Sequence, residues 1–221
     1  MSELAAVLFD MDGTLVDTEV LWWETTEETA ARLGHRLGPA DAPEVVGRAV
    51  PDTAAHLVRV SGRGEPADVA AELTDGFFRR VAAGAPIRPG VQRLLTALET
   101  EGIPFALVSA SPRVVVDQVV GGALAHVPFA FTVSADDTVR TKPHPDPYRA
   151  AAARLGRSPG ECVAVEDSPD GAASAEAAGC PVLVVPSLLD VPPSAARTFA
   201  GSLEDVTPEV LRGCLGAGSA A

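Results

Sequence analysis

Basic side chains are scarce in this sequence, and long apolar runs are missing. Its 221 residues include 17 basic and 30 acidic side chains, and the formal net charge is −13. Because nucleic acids are bound by basic surfaces, we expect no nucleic-acid partner, and the same charge disfavours an anionic membrane surface. The apolar run at 182–185 lies between two prolines and is far too short to cross a bilayer.

Cysteine is also rare, and its spacing excludes two common kinds of site. Cys162, Cys180 and Cys214 are an odd number of widely spaced residues without a CxxC pair. This pattern fits neither a disulfide framework nor a zinc site, and it predicts reduced, buried thiols in a cytoplasmic protein. Glu3 and Asp10 flank the first apolar segment, so we expect no secretory signal there.

Lysine is nearly absent from the chain. Among the 17 basic residues only Lys142 is a lysine, and the other 16 are arginines. A GC-rich codon bias toward arginine, together with one ammonium kept for a function, would explain this count. The hydrophobic content of 47% is ample for a core, and the length suits one compact domain or one domain with an insertion.

The order of the apolar patterns predicts an α/β fold interrupted by a helical insertion. A short apolar strand at 5–9 precedes a block, 17–86, that contains helical patterns and no convincing strand. Beyond this block strands and helices alternate, with strands expected at 105–108, 129–133, 162–165 and 182–185. Alternation of this kind predicts a parallel sheet covered by helices on both faces. The last residues, 216–221, are expected to be disordered.

Polar side chains follow the predicted strands, at the edge where open α/β sheets bind ligands. They are Asp10 and Asp12 after the first strand, Ser109 after the second, Lys142 after the third, and Glu166 and Asp167 after the fourth. Each alone has a plainer explanation, as an Asp–Gly turn, a helix cap or a solvated loop charge. Together they predict a site in which carboxylates hold a hard cation such as Mg²⁺, while a hydroxyl and an ammonium hold phosphate.

The order and context of these residues resemble the four motifs of the haloacid dehalogenase superfamily of phosphohydrolases. The motifs correspond to 10–18 (DMDGTLVDT), Ser109 after an apolar strand, 142–148 (KPHPDPY) and 166–171 (EDSPDG). The resemblance extends over the core from Leu4 to about Val206. It implies a Mg²⁺-dependent phosphatase that acts on a small phosphorylated metabolite, such as a sugar phosphate.

The resemblance also implies a division of the chain and a role for each site residue. A Rossmann-like core would comprise 1–16 and 87–221, and 17–86 would form a small helical cap. Asp10 would be the nucleophile and Asp12 the general acid and base. Phosphate would be bound by Ser109, Lys142 and the backbone N–H of Ala110, and Mg²⁺ by Asp10, Asp12, Asp167 and Glu166. We expect the protein to be a monomer.

Other activities of the superfamily are disfavoured to different degrees. A phosphonatase of this superfamily uses a cap lysine, and 17–86 contains none; a haloacid dehalogenase proper lacks an acid at the position of Asp12. The β-phosphoglucomutase branch is similar too, but its cap histidine is missing from 19–23. A sugar-phosphate mutase therefore remains the alternative activity. A phospho-receiver signalling domain is the non-enzymatic alternative, although such domains are shorter and lack a helical insertion.

The remaining polar and aromatic residues have weaker functional interpretations. Trp22 is expected to pack inside the helical block, and Arg48 to be exposed to solvent. The histidines show no mutual spacing typical of metal ligands, and we expect each at the surface or in a loop; they are His35, His56, His126 and His144.

Overall fold

The structure is a computed structural model that describes residues 3–217, without the side chain of Ala217. These residues form two compact units: Asp17–Pro86 is one, and the residues up to Val16 together with those from Ile87 onward are the other. The smaller unit spans the predicted helical block, whose function as a cap stays a prediction. Of the tail expected to be disordered, 218–221 lie outside the described residues, whereas Gly216 belongs to the last helix.

The larger unit contains a six-stranded parallel sheet. The elements in chain order are β1 (Ala6–Phe9), α1 (Thr18–Arg32), α2 (Val50–Ser61), α3 (Pro66–Ala83), α4 (Val91–Thr100), β2 (Phe105–Val108), α5 (Arg113–Gly121), β3 (Thr132–Val133), α6 (Asp146–Arg154), β4 (Cys162–Glu166), α7 (Pro169–Ala178), β5 (Val182–Val184), β6 (Arg197–Phe199) and α8 (Pro208–Ala217). The strands lie side by side in the order β3-β2-β1-β4-β5-β6, and every pair is parallel. The predicted Rossmann-like α/β fold is therefore confirmed.

The central position of β1 explains why the polar residues meet. All four residues of β1 are buried, and Leu8 lies opposite Ala106 of β2 on one side and Ala164 of β4 on the other. Its apolar sequence suits a strand that is buried on both faces. The chain moves outward from β1 to β3 and then returns to β4, so the strand order reverses beside β1. Open α/β proteins bind ligands at such reversals, outside the carboxyl ends of the strands.

The smaller unit packs helices α1, α2 and α3 around an apolar cluster of its own. Helix α1 begins after Asp17, whose carboxylate accepts a hydrogen bond from the Val20 N–H at 3.2 Å. Trp22 packs within this unit, as predicted: its indole N–H donates to the Val45 carbonyl at 3.0 Å, and its ring meets Phe77 edge-on. The buried members of the cluster are Ala30, Leu33, Leu37, Val45, Ala54, Leu57, Val69 and Leu73.

The prediction that every histidine lies at the surface or in a loop is wrong for one histidine of this unit. His56 lies on α2, is buried, and hydrogen-bonds through Nε2 to Asp41 at 2.8 Å. His35 reaches the same carboxylate at 3.2 Å, and the Gly38 N–H donates to it at 2.9 Å. Burial raises the pKa of Asp41, but the hydrogen bonds from Gly38, His56 and His35 outweigh it and hold the pKa below its ordinary value. Gly38 and His35 lie three and six residues from Asp41, whereas His56 lies 15 residues away on α2, so local spacing alone does not predict that His56 is buried against this carboxylate.

The two edge strands differ from the prediction. β3 is shorter than 129–133, because the Phe129 N–H bonds back to the Val127 carbonyl and the Phe129 ring packs edge-on against Phe105. β6 was not predicted, since its half-exposed Arg–Thr–Phe sequence contains no apolar run. Apolar patterns therefore find the central strands and fail at the edges, where one side of the strand is not covered.

The start of one helix differs from the prediction, whereas the cysteines agree with it. Helix α7 begins at Pro169 rather than at Gly171, because the Ser168 hydroxyl caps it by accepting from the Gly171 N–H. All three cysteines are buried and unbridged, in agreement with the prediction of free thiols. Within residues 3–217, no helix combines the length and apolar character needed to cross a membrane.

Candidate active site

Asp10 follows β1 directly and is the centre of a buried polar cluster. It is 6% exposed. Its N–H donates to the Val165 carbonyl of β4 at 2.9 Å, and its Oδ1 accepts from the Lys142 ammonium at 2.6 Å. Among the described residues, Asp10 Oδ2 is buried and has no hydrogen-bond partner. A buried carboxylate oxygen without a donor is costly, so this atom indicates a place for a ligand.

Lys142 joins Asp10 to Glu166. Its Nζ lies 2.6 Å from Asp10 Oδ1 and 2.6 Å from Glu166 Oε1, and its side chain is 5% exposed. Burial lowers the pKa of the ammonium, but the two carboxylates outweigh this effect and raise the pKa above its ordinary value. Lys142 is therefore charged at neutral pH. An ammonium has three N–H donors, so these two contacts leave one for an anionic ligand.

Glu166, the last residue of β4, is fully buried and surrounded by donors. Its Oε1 accepts from Lys142 Nζ and from the Tyr148 hydroxyl, both at 2.6 Å. Its Oε2 accepts from the Asp167 N–H and the Ser168 hydroxyl, both at 3.2 Å. Because protein donors already engage both oxygens, Glu166 is better suited to hold Lys142 than to coordinate a metal directly.

Asp12 is held by two serine hydroxyls from the end of β2. Ser109 and Ser111 donate to Asp12 Oδ2 at 3.0 and 2.8 Å. The Ser111 N–H in turn donates to Ser109 Oγ at 2.9 Å, which fixes the two hydroxyls relative to each other. These contacts favour one orientation of the Asp12 carboxyl group, as a group that transfers protons to and from a ligand requires.

Asp167 approaches the loop after β1 because residue 13 has no side chain. Gly13 has a φ of +81°, and a Cβ at this position would lie 2.0 Å from Asp167 Oδ2. The same oxygen accepts a hydrogen bond from the Ser187 hydroxyl. One carboxylate oxygen from each of Asp10, Glu166 and Asp167 lies within 4.8 Å of the others. The glycine therefore allows the acidic groups to converge.

The cluster carries more negative charge than its own donors neutralise. Its carboxylates come from Asp10, Asp12, Glu166 and Asp167, and its one ammonium from Lys142. Burial raises the pKa of Asp10 well above its ordinary value; Lys142 opposes this, and the three other carboxylates add to it. The unpartnered Asp10 Oδ2 and the oxygen-only donor set both fit a hard divalent cation such as Mg²⁺.

The predicted site residues meet at one edge of the sheet, and four further side chains that the sequence did not single out contact them: Ser111, Tyr148, Ser168 and Ser187. Ala110 is exposed between Ser109 and Ser111; a phosphate-binding role for its N–H stays a prediction. Tyr148 and Ser168 belong to the quoted motifs and Ser111 lies two residues after Ser109, so their polar groups could have been considered. Ser187 comes from the loop after β5, where no acidic or glycine pattern marks it.

Comparison with known proteins assigns the chain to a family. The family model of haloacid dehalogenase-like hydrolases matches residues 4–179. Hexitol phosphatase A of Escherichia coli K12 is 36% identical over 188 residues, which cover 84% of this chain and 84% of that protein. A HAD family hydrolase of Deinococcus radiodurans, solved with bound phosphate and sodium, has a TM-score of 0.78 and 28% identity over 100% of both chains. A CbbY variant of Rhodobacter sphaeroides, solved with xylulose-(1,5)bisphosphate, has a TM-score of 0.71 and 25% identity, covering 91% of this chain and 96% of that one. This chain therefore belongs to the haloacid dehalogenase-like hydrolases.

Proposed function

We propose that this protein is a Mg²⁺-dependent phosphatase that hydrolyses a small phosphate monoester through a phosphorylated Asp10. The observation that carries the proposal is the hydrogen bonding of the two carboxylate oxygens of Asp10. Its Oδ1 is fixed by Lys142, while its buried Oδ2 has no donor among the described residues. A rigid carboxylate with one oxygen available is the arrangement that a nucleophile needs.

In the first step, an oxygen of Asp10 attacks the phosphorus of the ester. The bond from phosphorus to the ester oxygen breaks as the new bond forms, and Asp12 donates its proton to the departing oxygen, which leaves as an alcohol. The Lys142 ammonium and the Ser109 hydroxyl lie beside Asp10 and Asp12 respectively, where they support the equatorial phosphate oxygens. General acid catalysis by Asp12 is worth about 10²- to 10⁴-fold in rate.

In the second step, water hydrolyses the phosphorylated Asp10. Asp12, now ionised, takes a proton from the water, whose oxygen attacks phosphorus. The bond from phosphorus to the Asp10 oxygen breaks and inorganic phosphate leaves, which restores both carboxyl groups. The contacts from Ser109 and Ser111 support this step, because they hold Asp12 in one place while it changes protonation state.

A divalent cation completes this proposal. Asp10, Asp167 and the backbone carbonyl of Asp12 would hold Mg²⁺, with Glu166 supporting the site through Lys142. When bound, Mg²⁺ supplies positive charge that allows an anionic nucleophile and an anionic phosphate to approach each other. The excess of carboxylates over ammonium groups in the cluster supports this requirement.

The substrate class follows from the relatives and remains part of the proposal. One relative is a hexitol phosphatase, and the CbbY variant was solved with xylulose-(1,5)bisphosphate. We infer that this enzyme acts on a phosphorylated sugar or polyol of similar size. The helical unit Asp17–Pro86 would close over such a substrate as a cap.

The proposal is tested by hydrolysis of an aryl phosphate and of a panel of sugar and polyol phosphates, with and without Mg²⁺. Asp10→Asn removes the nucleophile with little change in size, so hydrolysis should be abolished. Asp75→Asn makes the same chemical change at an exposed position of α3 and should retain wild-type rates. Turnover by Asp10→Asn at the wild-type rate would contradict the mechanism.

The alternative activities are tested in the same panel. A mutase would convert β-glucose 1-phosphate to glucose 6-phosphate, whereas the phosphatase releases inorganic phosphate and glucose. The phosphatase is favoured because 19–23 on α1 contains no histidine and because a relative covering 84% of this chain is a hexitol phosphatase. The receiver-domain alternative is not supported, since the family that matches is one of hydrolases.

A further inference from the structure

A tyrosine outside the proposed chemistry contacts the site through Glu166. Tyr148 is the only tyrosine in the chain, lies on α6 and is fully buried in the hydrophobic cluster around the sheet. Its hydroxyl donates to Glu166 Oε1 at 2.6 Å. Lys142 Nζ contacts the same oxygen at 2.6 Å and lies 5.2 Å from the centre of the Tyr148 ring.

The hydroxyl of Tyr148 is unusual for this position because packing alone does not require it. The buried cluster to which Tyr148 belongs consists mainly of small apolar side chains, among them Ala151, Val182 and Val184, and a phenylalanine would suit it equally well. A buried hydroxyl costs free energy unless it is hydrogen-bonded. In the described part of the chain, this hydroxyl donates to a charged carboxylate, and a hydrogen bond to a charged group is the stronger kind.

The hydrogen bond from Tyr148 to Glu166 affects the position of Lys142, which contacts the carboxylates of both Glu166 and Asp10. Lys142 lies at the same distance, 2.6 Å, from Asp10 Oδ1 and Glu166 Oε1. A neutral donor on Glu166 Oε1 disperses the charge of that oxygen without adding a competing cation. Without the hydroxyl, Glu166 would attract the ammonium more strongly, and Lys142 would move away from Asp10.

We propose that the Tyr148 hydroxyl is a positioning group that holds Lys142 between Glu166 and Asp10, so that the ammonium is aligned on the nucleophile. This inference rests on the proposed function of Asp10 and Lys142. Tyr148 itself touches neither the nucleophile nor the place for phosphate in this scheme. It acts on Lys142 through Glu166.

The chain permits an unusually direct test, because Lys142 is its only lysine. Protein labelled with ¹⁵N-lysine has a single side-chain ammonium resonance, which needs no assignment. In Tyr148→Phe we expect this resonance to shift and its hydrogen exchange with water to quicken by about tenfold, since the ammonium loses one of its two fixed positions. We also expect kcat to fall about tenfold while KM changes less than about twofold, because alignment matters most in the transition state.

Cys180→Ala is the matched control for a general loss of packing. Cys180 is buried in the same hydrophobic cluster as Tyr148, and its removal leaves the four donors of Glu166 in place. This variant should lose stability but keep the wild-type ammonium resonance and kcat. The proposal is overturned if Tyr148→Phe keeps the wild-type resonance, or if Cys180→Ala shows the same shift.

A second probe covers the case in which Tyr148→Phe does not fold. Replacing tyrosine by 3-fluorotyrosine labels position 148 alone and gives one ¹⁹F resonance in an otherwise native chain. We expect Glu166→Gln to move this ¹⁹F resonance, and an unchanged resonance would refute the contact. Both spectroscopic results are independent of turnover. An enzyme without phosphatase activity would therefore refute the proposed function, and the spectra would still decide the role of Tyr148.

Discussion

Gly13 lies where any side chain would collide with the acidic cluster. A Cβ there would be 2.0 Å from Asp167 Oδ2 and 3.2 Å from the Ser187 hydroxyl, and the φ of +81° already favours glycine. The close approach of Asp167 to the loop after β1 therefore depends on the absence of a Cβ at residue 13. The Asp–Gly sequence predicts a turn, but it does not predict that the carboxylate of Asp167, the residue after β4, fills the space beside it.

Gly13→Ala should displace Asp167 and weaken metal binding. We expect the Mg²⁺ concentration for half-maximal hydrolysis to rise by about tenfold or more, as is typical when the support of a metal ligand is lost. Direct Mg²⁺ titration by calorimetry should show the same loss of affinity. These two measurements separate a defect in metal binding from a defect in chemistry.

Gly156→Ala is the matched control for Gly13→Ala. Gly156 also has a positive φ, +67°, but a Cβ there would meet no atom within 4 Å. This variant should lose about 1 kcal/mol of unfolding free energy through backbone strain and keep the wild-type Mg²⁺ requirement. Equal changes in Mg²⁺ affinity for the two variants would contradict the close approach of Asp167.

At the scale of elements, hydrogen bonds to Asp41 hold the segment between α1 and α2 in one conformation. Its carboxylate accepts from the Gly38 N–H at 2.9 Å and bonds to His56 at 2.8 Å and to His35 at 3.2 Å. Because the folded state favours the ionised form, the pKa of Asp41 is lower than its ordinary value of 3.8. The carboxylate therefore stabilises the fold above that value, and the contribution is lost as the pH falls through the lower pKa of the folded state.

Asp41→Asn should destabilise the unit Asp17–Pro86 at neutral pH. We expect a loss of about 2 kcal/mol in urea unfolding, because charged hydrogen bonds within a buried cluster are broken. The difference between wild type and variant should narrow as the pH falls below 3.8 and vanish below the lower pKa of the folded state, where the wild-type carboxyl group is protonated in both states. Asp52→Asn, an exposed change in the first turn of α2, should cost less than about 1 kcal/mol. A wild-type advantage that does not change with pH would contradict this account.

Sequence patterns predict the central elements of this fold well and its edges poorly. The apolar runs of β1, β2 and β4 are buried on both faces, so their sequences report their position. β3 and β6 lie at the edges, where turns and partial exposure replace the apolar signal. Motif order predicts which strand ends carry polar groups, because parallel strands place their carboxyl ends together. Hydrogen-bond partners from other elements, such as Ser187 on Asp167, depend on packing that the sequence does not display.

At the scale of the whole molecule, the main feature is the large negative net charge of the chain. A protein with a net charge of −13 repels an anionic substrate at long range, so attraction must come from a few local groups. In the described part of the larger unit, Lys142 supplies buried positive charge beside Asp10, and we propose that Mg²⁺ supplies the rest. The scarcity of lysine in the sequence is thus consistent with one ammonium kept for a function. That the protein is a monomer stays a prediction.

The central claim is that Asp10 carries the phosphoryl group during turnover. It is tested most directly by mixing the enzyme with ³²P-labelled aryl phosphate and Mg²⁺, quenching with acid within a turnover, and locating the label by peptide mass spectrometry. We expect label on the peptide that contains Asp10, and none in Asp10→Asn. Rapid wild-type hydrolysis with no labelled peptide, or with label on a different residue, would contradict it.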